Sequence, residues 1–470
     1  MSRLHCCDNL HYEKFADGSV KCIEDEIPFD LPEGWAWARL NQIYNFIDYR
    51  GATPNKISSG VPLITAKNVK SGYIDYTIDE YISEEEYWDR QQRGTSRLGD
   101  VLFTTEAPLG NAAIADIEKF SAGQRLITFQ HYGSCVLNNH TFLYFILSDF
   151  FQDQLHTRKT GSTVAGIKAS ILKTLLLPIP PIAEQDKIGE KCENLLALIE
   201  EITNSKQSII SAIPKTKAKI LDLAIRGQLV PQDPNDEPAS VLLERIRAEK
   251  EDLIKQGKIK RDKKESFIFR GEDNSYYEKM GAEVRCIDSE LPFDLPDSWT
   301  FARLKHISEI VGGGTPKTNI AEYWDGNIPW LTPADFSGYE KMYISAGART
   351  ITELGLKSSS AQMLPKNSVL YSSRAPIGYI AIAATPVATN QGFKSVVPYD
   401  LAMSPYLFYC LKAITDDIIQ RATGTTFKEI SGSEMAETII PLPPIHEQQR
   451  IFKKATRLFE VITTIEKSLS

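Results

Sequence analysis

At 470 residues the chain exceeds what a single hydrophobic core sustains, so two or more domains are expected. A hydrophobic fraction of 42% supports ordinary buried cores, no apolar run approaches the roughly 18 residues of a membrane span, and the opening MSRLHCCDNL is too polar for a secretory signal. The net charge of −8 excludes little, because nucleic-acid binding needs a local basic surface rather than a basic total.

The seven cysteines (Cys6, Cys7, Cys22, Cys135, Cys192, Cys286, Cys410) are odd in number and scattered. Adjacent Cys6 and Cys7 have no CxxC partner, so free thiols in a reducing cytoplasm are expected rather than a disulfide or metal framework.

After a polar leader the chain runs YEKFADGSVKCIEDEIPFDLPEGWAWARL from Tyr12, and YEKMGAEVRCIDSELPFDLPDSWTFARL from Tyr277. Trp35 answers Trp299, and Arg39-Leu40 answers Arg303-Leu304, at one offset of 264 residues. An internal repeat of this size governs every later inference about the fold. GATP from Gly51 answers GGTP from Gly313, and VPLITAKNV from Val61 answers IPWLTPADF from Ile328. VLFTTEAPLG from Val101 answers VLYSSRAPIG from Val369, and TGST from Thr160 answers TGTT from Thr423. Short β-branched and aromatic runs bounded by Gly, Pro and Asn predict strands at Val61–Thr65, Val101–Thr105, Leu126–Phe129, Ile328–Thr332, Val369–Ser373 and Tyr379–Ala383. Helices are predicted over Asn138–Leu155 and Ser404–Gln420. The class is α+β with many loops, and both halves share one fold.

Each half ends in the same stop, PIPPIAEQ from Pro178 and PLPPIHEQ from Pro441, followed by a helical pattern. Apolar residues at Ile188, Cys192, Leu195, Ile199 and Ile202 alternate at four and three, the spacing of a coiled-coil seam. Ile451, Ala455, Leu458, Ile462 and Ile465 repeat it in register, 263 residues on. The first helix is expected to run from Glu184 and end at Pro214, with a short helix Lys215–Arg226 closed by Gly227. Pro238 starts another helix reaching about Gln256, and its end overlaps a basic run (Lys255, Lys258, Lys260, Arg261, Lys263, Lys264), suited to a solvated linker, to phosphate contact or to partner docking. A helix of about 30 residues is about 45 Å long at 1.5 Å per residue, which matches on the order of 13 base pairs of duplex. Two such helices, packed antiparallel, would hold two domains over separate sites. The heptad pattern alone could specify a homodimer, but its in-register echo at Ile451–Leu469 makes an intrachain partner more economical.

No GxxxxGKS/T, strand-linked GxGxxG or GxSxG occurs, and HEQQR at His446 puts Arg where a second zinc-binding His is needed. An independent enzyme therefore has no catalytic or metal motif to stand on. Polar turns instead carry groups suited to base edges and phosphates: Arg50, Lys56, Lys67, Asn68 and Thr105 (with Thr104 and Glu106) in the first half. The second half offers Lys317, Thr318, Asp335, Arg374, Asn390, Gln391 and Lys428.

DLPEGWAWARL, DLPDSWTFARL, GSTVAGIKASILKTLLLPIPPIAEQ, GTTFKEISGSEMAETIIPLPPIHEQQRI and ILDLAIRGQLVPQDPNDEPASVLLERIRAEK together resemble the specificity subunit of type I restriction-modification systems, from Tyr12 to Leu469. The resemblance implies two target recognition domains in pseudo-two-fold repeat, separated by two long family-conserved helices packed as an antiparallel coiled coil. The expected division is 1–183 for the first recognition domain, 184–270 for a central helical region, 271–446 for the second recognition domain and 447–470 for the C-terminal helix. It also implies a cytoplasmic, non-catalytic protein that binds double-stranded DNA, two modification methyltransferase subunits and restriction subunits, with no membrane. S-adenosylmethionine, ATP and Mg would sit on those partners. Differences between the halves, Lys67-Asn68 against Asp335-Phe336 and Glu106 against Arg374, fit two different half-sites. A non-catalytic protein-interaction scaffold is the competing class.

Overall fold

The structure is a computed structural model that describes residues 10–49, 53–133, 136–160, 165–257, 259, 261, 265–424 and 428–469. It divides into two compact units, Met1–Thr203 and Asn204–Ser470.

In the first unit an antiparallel sheet has the strand order Tyr44–Asp48, Leu126–His131, Val101–Thr105, Leu109–Ile114. Phe103, Ile127 and Phe129 of this sheet form one core with Phe142, Ile146, Phe151 and Leu155. Those partners lie on two helices, Asn139–Leu147 and Asp149–Arg158, where the sequence predicts one. The break falls at Ser148, whose hydroxyl donates back to the Phe145 carbonyl at 2.6 Å; such local bonds compete with the helical ladder. The second unit repeats the plan with the order Ser308–Gly312, Lys394–Pro398, Val369–Ser373, Ile377–Ala383, Tyr343–Ile344. Val101 faces Phe129 in the first sheet and Val369 faces Val396 in the second. The two sheets are therefore built in nearly the same register. The predicted helix Ser404–Gln420 is likewise two, Ser404–Ala413 and Thr415–Arg421.

Each unit also ties its beginning to its end. Ala36–Arg39 pairs with Leu176–Ile179, and Thr300–Arg303 pairs with Ile439–Leu442, both antiparallel. The arginine that closes each first strand is buried. Arg39 donates to Glu13 at 2.8 Å, Glu26 at 2.7 Å and the Thr174 carbonyl at 2.6 Å. Arg303 donates to Glu278 at 2.8 Å, Glu290 at 3.1 Å and the Glu437 carbonyl at 2.8 Å. The Arg39 guanidinium holds the Glu26 carboxyl down to about 2, and that of Arg303 holds Glu278 well below the usual carboxylate range. A buried guanidinium needs this full set of acceptors, because an unpaired buried charge is far more costly than a paired one. The next turn is capped alike in both copies: Arg39 N donates to Gln42 Oε1 at 3.1 Å and Arg303 N to His306 Nδ1 at 3.3 Å.

Past the second ladder strand the PPIxEQ sequence turns the chain into a helix. Gln185 Nε2 donates to the Pro180 carbonyl at 3.0 Å, and Gln448 Nε2 to that of Pro443 at 2.9 Å. The preceding glutamate accepts an indole N–H: Trp35 to Glu184 at 2.9 Å, and Trp299 to Glu447 at 2.9 Å. Glu184 is exposed, whereas Glu447 is buried and also accepts from Gln232 Nε2 at 2.6 Å. Burial raises the Glu447 carboxyl above its ordinary range.

The helix that follows corrects the sequence expectation. It runs unbroken from Ile182 to Ile225, with Pro214 inside it. The proline removes one backbone donor, but Ile213 just before it and Ile220 and Leu221 beyond it pack with Ala455, Leu458, Phe459 and Ile462. That packing, plus the Lys217–Glu466 pair at 2.7 Å, outweighs the roughly 3 kcal/mol a mid-helix proline costs. Gly227, at φ +69°, then ends the run, and a Cβ there would lie 2.6 Å from the Pro296 ring.

The C-terminal helix, Ile445–Leu469, therefore meets the Ile213–Ala224 stretch, in antiparallel sense, within the second unit. The expected seam partners differ: Leu195, Ile199 and Ile202 are 48%, 59% and 58% exposed, while Ile188 and Cys192 are half-buried. Ile465 is exposed as well. Nor is 184–270 a separate body. From Asn204 it belongs to the second unit, where Ala224, Ile225, Leu242, Leu243 and Ile246 share a core with Trp299, Tyr406 and Ile451. The helix Ala239–Lys255 begins just after Pro238, as its sequence predicts.

Two outcomes follow from these contacts. Burial, with Lys305 and Lys250 nearby, pushes His306 down to about 3, so the unfolded chain takes up a proton that the fold refuses. His306 thus contributes stability that is complete above its ordinary value near 6.5 and is lost as the pH falls toward 3. His306→Gln, which installs the group found at Gln42, is expected to keep the cap and flatten the loss, by at most about 2 kcal/mol between pH 6.5 and 5; melts across that range check it. Trp299→Phe takes the indole donor from one oxygen of the buried Glu447 carboxyl and is expected to cost about 1–3 kcal/mol. Trp35→Phe, beside an exposed carboxylate, should cost less, with amide exchange at Glu447–Ile451 and Glu184–Ile188 as the measurement.

Candidate nucleic-acid interface

One edge of each unit gathers the duplicated turns. After the buried strand Val101–Thr105 the chain reverses through a cis Ala107–Pro108 bond, and after Val369–Ser373 through a cis Ala375–Pro376 bond. Two further segments are laced to this turn. Thr105 N donates to the Arg125 carbonyl at 2.9 Å and Ile167 N to the Thr105 carbonyl at 3.0 Å. In the second unit Ser373 N donates to the Gly392 carbonyl at 2.7 Å and Ile430 N to the Ser373 carbonyl at 3.0 Å. Single β-bridges continue the lacing, Glu106 to Gly166 and Arg374 to Glu429. The GxTP turns join the same edge: Gln124 Nε2 bonds the Thr53 hydroxyl, and the Thr315 hydroxyl bonds Gln391 Oε1. Gly313 is required there, since a Cβ would sit 2.0 Å from the Asn390 carbonyl oxygen.

Of the sequence-predicted residues, Arg374, Asn390, Gln391 and Lys428 come together on this edge of the second unit. Arg374 Nη1 lies 3.5 Å from Glu429, Lys428 is exposed beside that glutamate, and Asn390 Oδ1 accepts from Gly392 N at 2.9 Å. Lys317 and Thr318 are exposed just beyond the Thr315 turn, and the Lys317 carbonyl accepts from the Trp324 indole at 3.2 Å. Lys56 is paired with Glu80 at 2.7 Å. Lys67 is exposed and its carbonyl accepts from Lys70 Nζ at 2.8 Å. Arg50 lies outside the described residues, as do Lys258, Lys260, Lys263 and Lys264 of the basic run. Arg261 of that run pairs with Glu251 at 2.6 Å.

Two of the expected base readers are structural instead. Asn68 is 1% exposed. Its Oδ1 accepts from Thr65 N at 3.0 Å and Thr65 Oγ1 at 2.8 Å, while its Nδ2 donates to the carbonyls of Asp75 and Ile78. Thr105 is buried and donates to the Arg125 carbonyl at 3.1 Å. Thr104 is buried too, exchanging bonds with Asn111. Asp335 stands where Asn68 does, accepting from Thr332 N at 2.7 Å and Thr332 Oγ1 at 2.8 Å. The pairing Lys67-Asn68 with Asp335-Phe336 is therefore one residue out of step, and this position says nothing about different half-sites.

The edge also holds groups the sequence reading passed over: Thr53, Gln124 and Arg125 in the first unit, and Thr315, Lys394 and Glu429 in the second. Arg125 Nε meets Glu106 Oε1 at 3.0 Å, and Lys394 Nζ meets Glu429 Oε1 at 3.5 Å. The GxTP repeat was the available signal for the threonines; Arg125 and Lys394 reach the edge only through strand pairing. The edge thus offers hydroxyl, amide, guanidinium, ammonium and carboxylate groups on a stiff backbone frame, the set that matches phosphates and base edges. Among the described residues no cluster of His, Cys, Asp and Glu could hold a metal ion, and no helix is long and apolar enough to cross a membrane.

Asn68→Ala would leave buried donors and acceptors unpaired, so a loss of about 1–3 kcal/mol is expected. Melting temperature should fall while the preferred duplex sequence stays unchanged; a shifted base preference at full stability would return Asn68 to the reading set.

Comparison with known proteins adds a family. The model for the type I restriction modification DNA specificity domain matches residues 32–211 and again 296–470. The type I restriction enzyme MjaIX specificity subunit of Methanocaldococcus jannaschii is 46% identical over 159 residues, 33% of this chain and 37% of that one. The EcoAI specificity subunit of Escherichia coli is 25% identical over 520 residues, covering 94% of this chain and 80% of that one. A solved HsdS subunit from Thermoanaerobacter tengcongensis shares the fold, with a TM-score of 0.56 at 18% identity over 95% of this chain and 94% of that one.

Proposed function

Because the chain belongs to the family of type I restriction modification DNA specificity domains and carries that domain twice, we propose that it is the DNA sequence-specificity subunit of a type I restriction-modification complex. Each unit reads one half of a bipartite, asymmetric duplex sequence with the edge that holds its GxTP and cis-proline turns, and the long helix sets the unspecified gap. Two modification subunits dock on the chain, bring S-adenosylmethionine and methylate adenine. Restriction subunits, where present, bring ATP and Mg. This chain supplies selectivity and no chemistry of its own, and it works in the cytoplasm.

The observation that carries the reading is the duplication of one loop frame with altered side chains, which is what reading two unlike half-sites on one duplex requires. The exposed apolar face at Leu195, Ile199 and Ile202 supports the docking half of the proposal. A pure protein scaffold would share that face but would have no need of two polar edges built alike.

Mapping methylated adenines in DNA from cells with the complete gene set, before and after deletion of this chain, tests the reading. A two-part motif with a fixed gap is expected, and it should vanish on deletion. An unchanged methylation pattern after deletion would sink it.

A further inference from the structure

The two reading edges share one backbone frame but differ in the charged groups they carry. The cis-proline turn, the laced backbone and a threonine–glutamine contact recur, the last with donor and acceptor exchanged. The residue just before Ala107-Pro108 is Glu106, however, and the residue just before Ala375-Pro376 is Arg374. Both follow a fully buried strand, both bridge to the returning loop, and both keep their side chains partly exposed.

Resting on the specificity-subunit reading, we propose that Glu106 and Arg374 are the specificity-determining residues of their half-sites. Glu106 accepts from an exocyclic amino group, cytosine foremost, and Arg374 donates to guanine N7 and O6. The chemistry follows from the side chains, since a carboxylate only accepts and a guanidinium only donates.

Each group is aimed by one neighbour without being used up. Arg125 engages Glu106 through Oε1 at 3.0 Å, so Oε2 remains for a base. Glu429 approaches Arg374 through Nη1 at 3.5 Å and shares its other oxygen with Lys394. The remaining guanidinium donors stay available as a fork. Folding does not explain the choice of residue, because partly exposed ion pairs contribute little to stability. A reversal of charge at the same point of a shared backbone frame, with the neighbouring charges changed to suit, is what selection for a different base would leave.

The test uses the full chain assembled with its modification subunits and a randomised duplex library, with bound sequences read by sequencing. Glu106→Gln is expected to relax one base position of one half-site, with discrimination there falling on the order of ten- to a hundred-fold. The other half-site and the gap should stay as they were. Arg374→Gln should do the same in the other half-site. Glu106→Asp, which keeps the acceptor, should retain the base identity, and melting curves identify any variant that has merely unfolded. Folded variants that weaken binding to every sequence alike, or leave every base preference intact, would overturn the proposal. An unselective wild-type complex would instead remove the specificity-subunit reading on which it rests.

Discussion

The constraint on which the rest depends is the closure of each unit on itself, where an early strand pairs with its last. Ala36–Arg39 against Leu176–Ile179, and Thr300–Arg303 against Ile439–Leu442, bring chain ends some 140 residues apart into one ladder. Closure over such a distance carries a loop-entropy cost that grows only slowly with length, and the buried arginine with its carboxylates offsets part of it. The same ladder fixes where the helix leaves. The prolines end the strand, the glutamine side chain folds back on the proline carbonyl, and the indole N–H holds the glutamate. A helix launched from a closed ladder has a set direction, which a helix hung from a loop would lack.

That closure was legible in the sequence as motif, not as mechanism. The repeated Trp and Arg-Leu marked the first ladder strand, and the repeated PPIxEQ marked the stop, but nothing in either string says that they touch. The partner carboxylates Glu13 and Glu278 lie on short strands, and Glu26 and Glu290 in single 3-10 turns; the repeat carries all four, but only the folded chain reveals that they face the arginine. Strands were legible because β-branched runs between Gly and Pro leave few alternatives. The helices were legible in position but not in continuity. Ser148 breaks one through a side-chain bond that local propensity does not record, and Pro214 fails to break another because contacts with the C-terminal helix, more than 220 residues away, outweigh it.

The reading edge shows the same division. Its turns were identified from Gly, Pro and Thr, yet which polar side chains face outward depended on tertiary packing. Asn68 and Glu106 look equally capable in the sequence. In the fold Asn68 makes four bonds to its own loop and is sealed, whereas Glu106 keeps a carboxylate oxygen clear of its one ion-pair partner. An Asn or Asp three residues after Thr is a turn-capping pattern, and the match of Asn68 to Asp335 shows that pattern surviving a change of residue. The substitution tolerated there preserves an acceptor; the one at Glu106 and Arg374 does not.

This contrast bears on how one fold comes to read two sequences. The frame of each edge is made by backbone bonds, buried hydroxyls and a threonine–glutamine contact, and these leave the outward side chains with little part in stability. Positions such as 106 and 374 can then change charge without unfolding the unit, while Asn68, Thr105 and the buried arginines cannot change without stranding polar groups. On the proposed reading, stability and specificity reside in different atoms of the same turns. Such a separation lets a duplicated unit keep its architecture while its recognition diverges, and the second unit of this chain stands to the first as that divergence carried out.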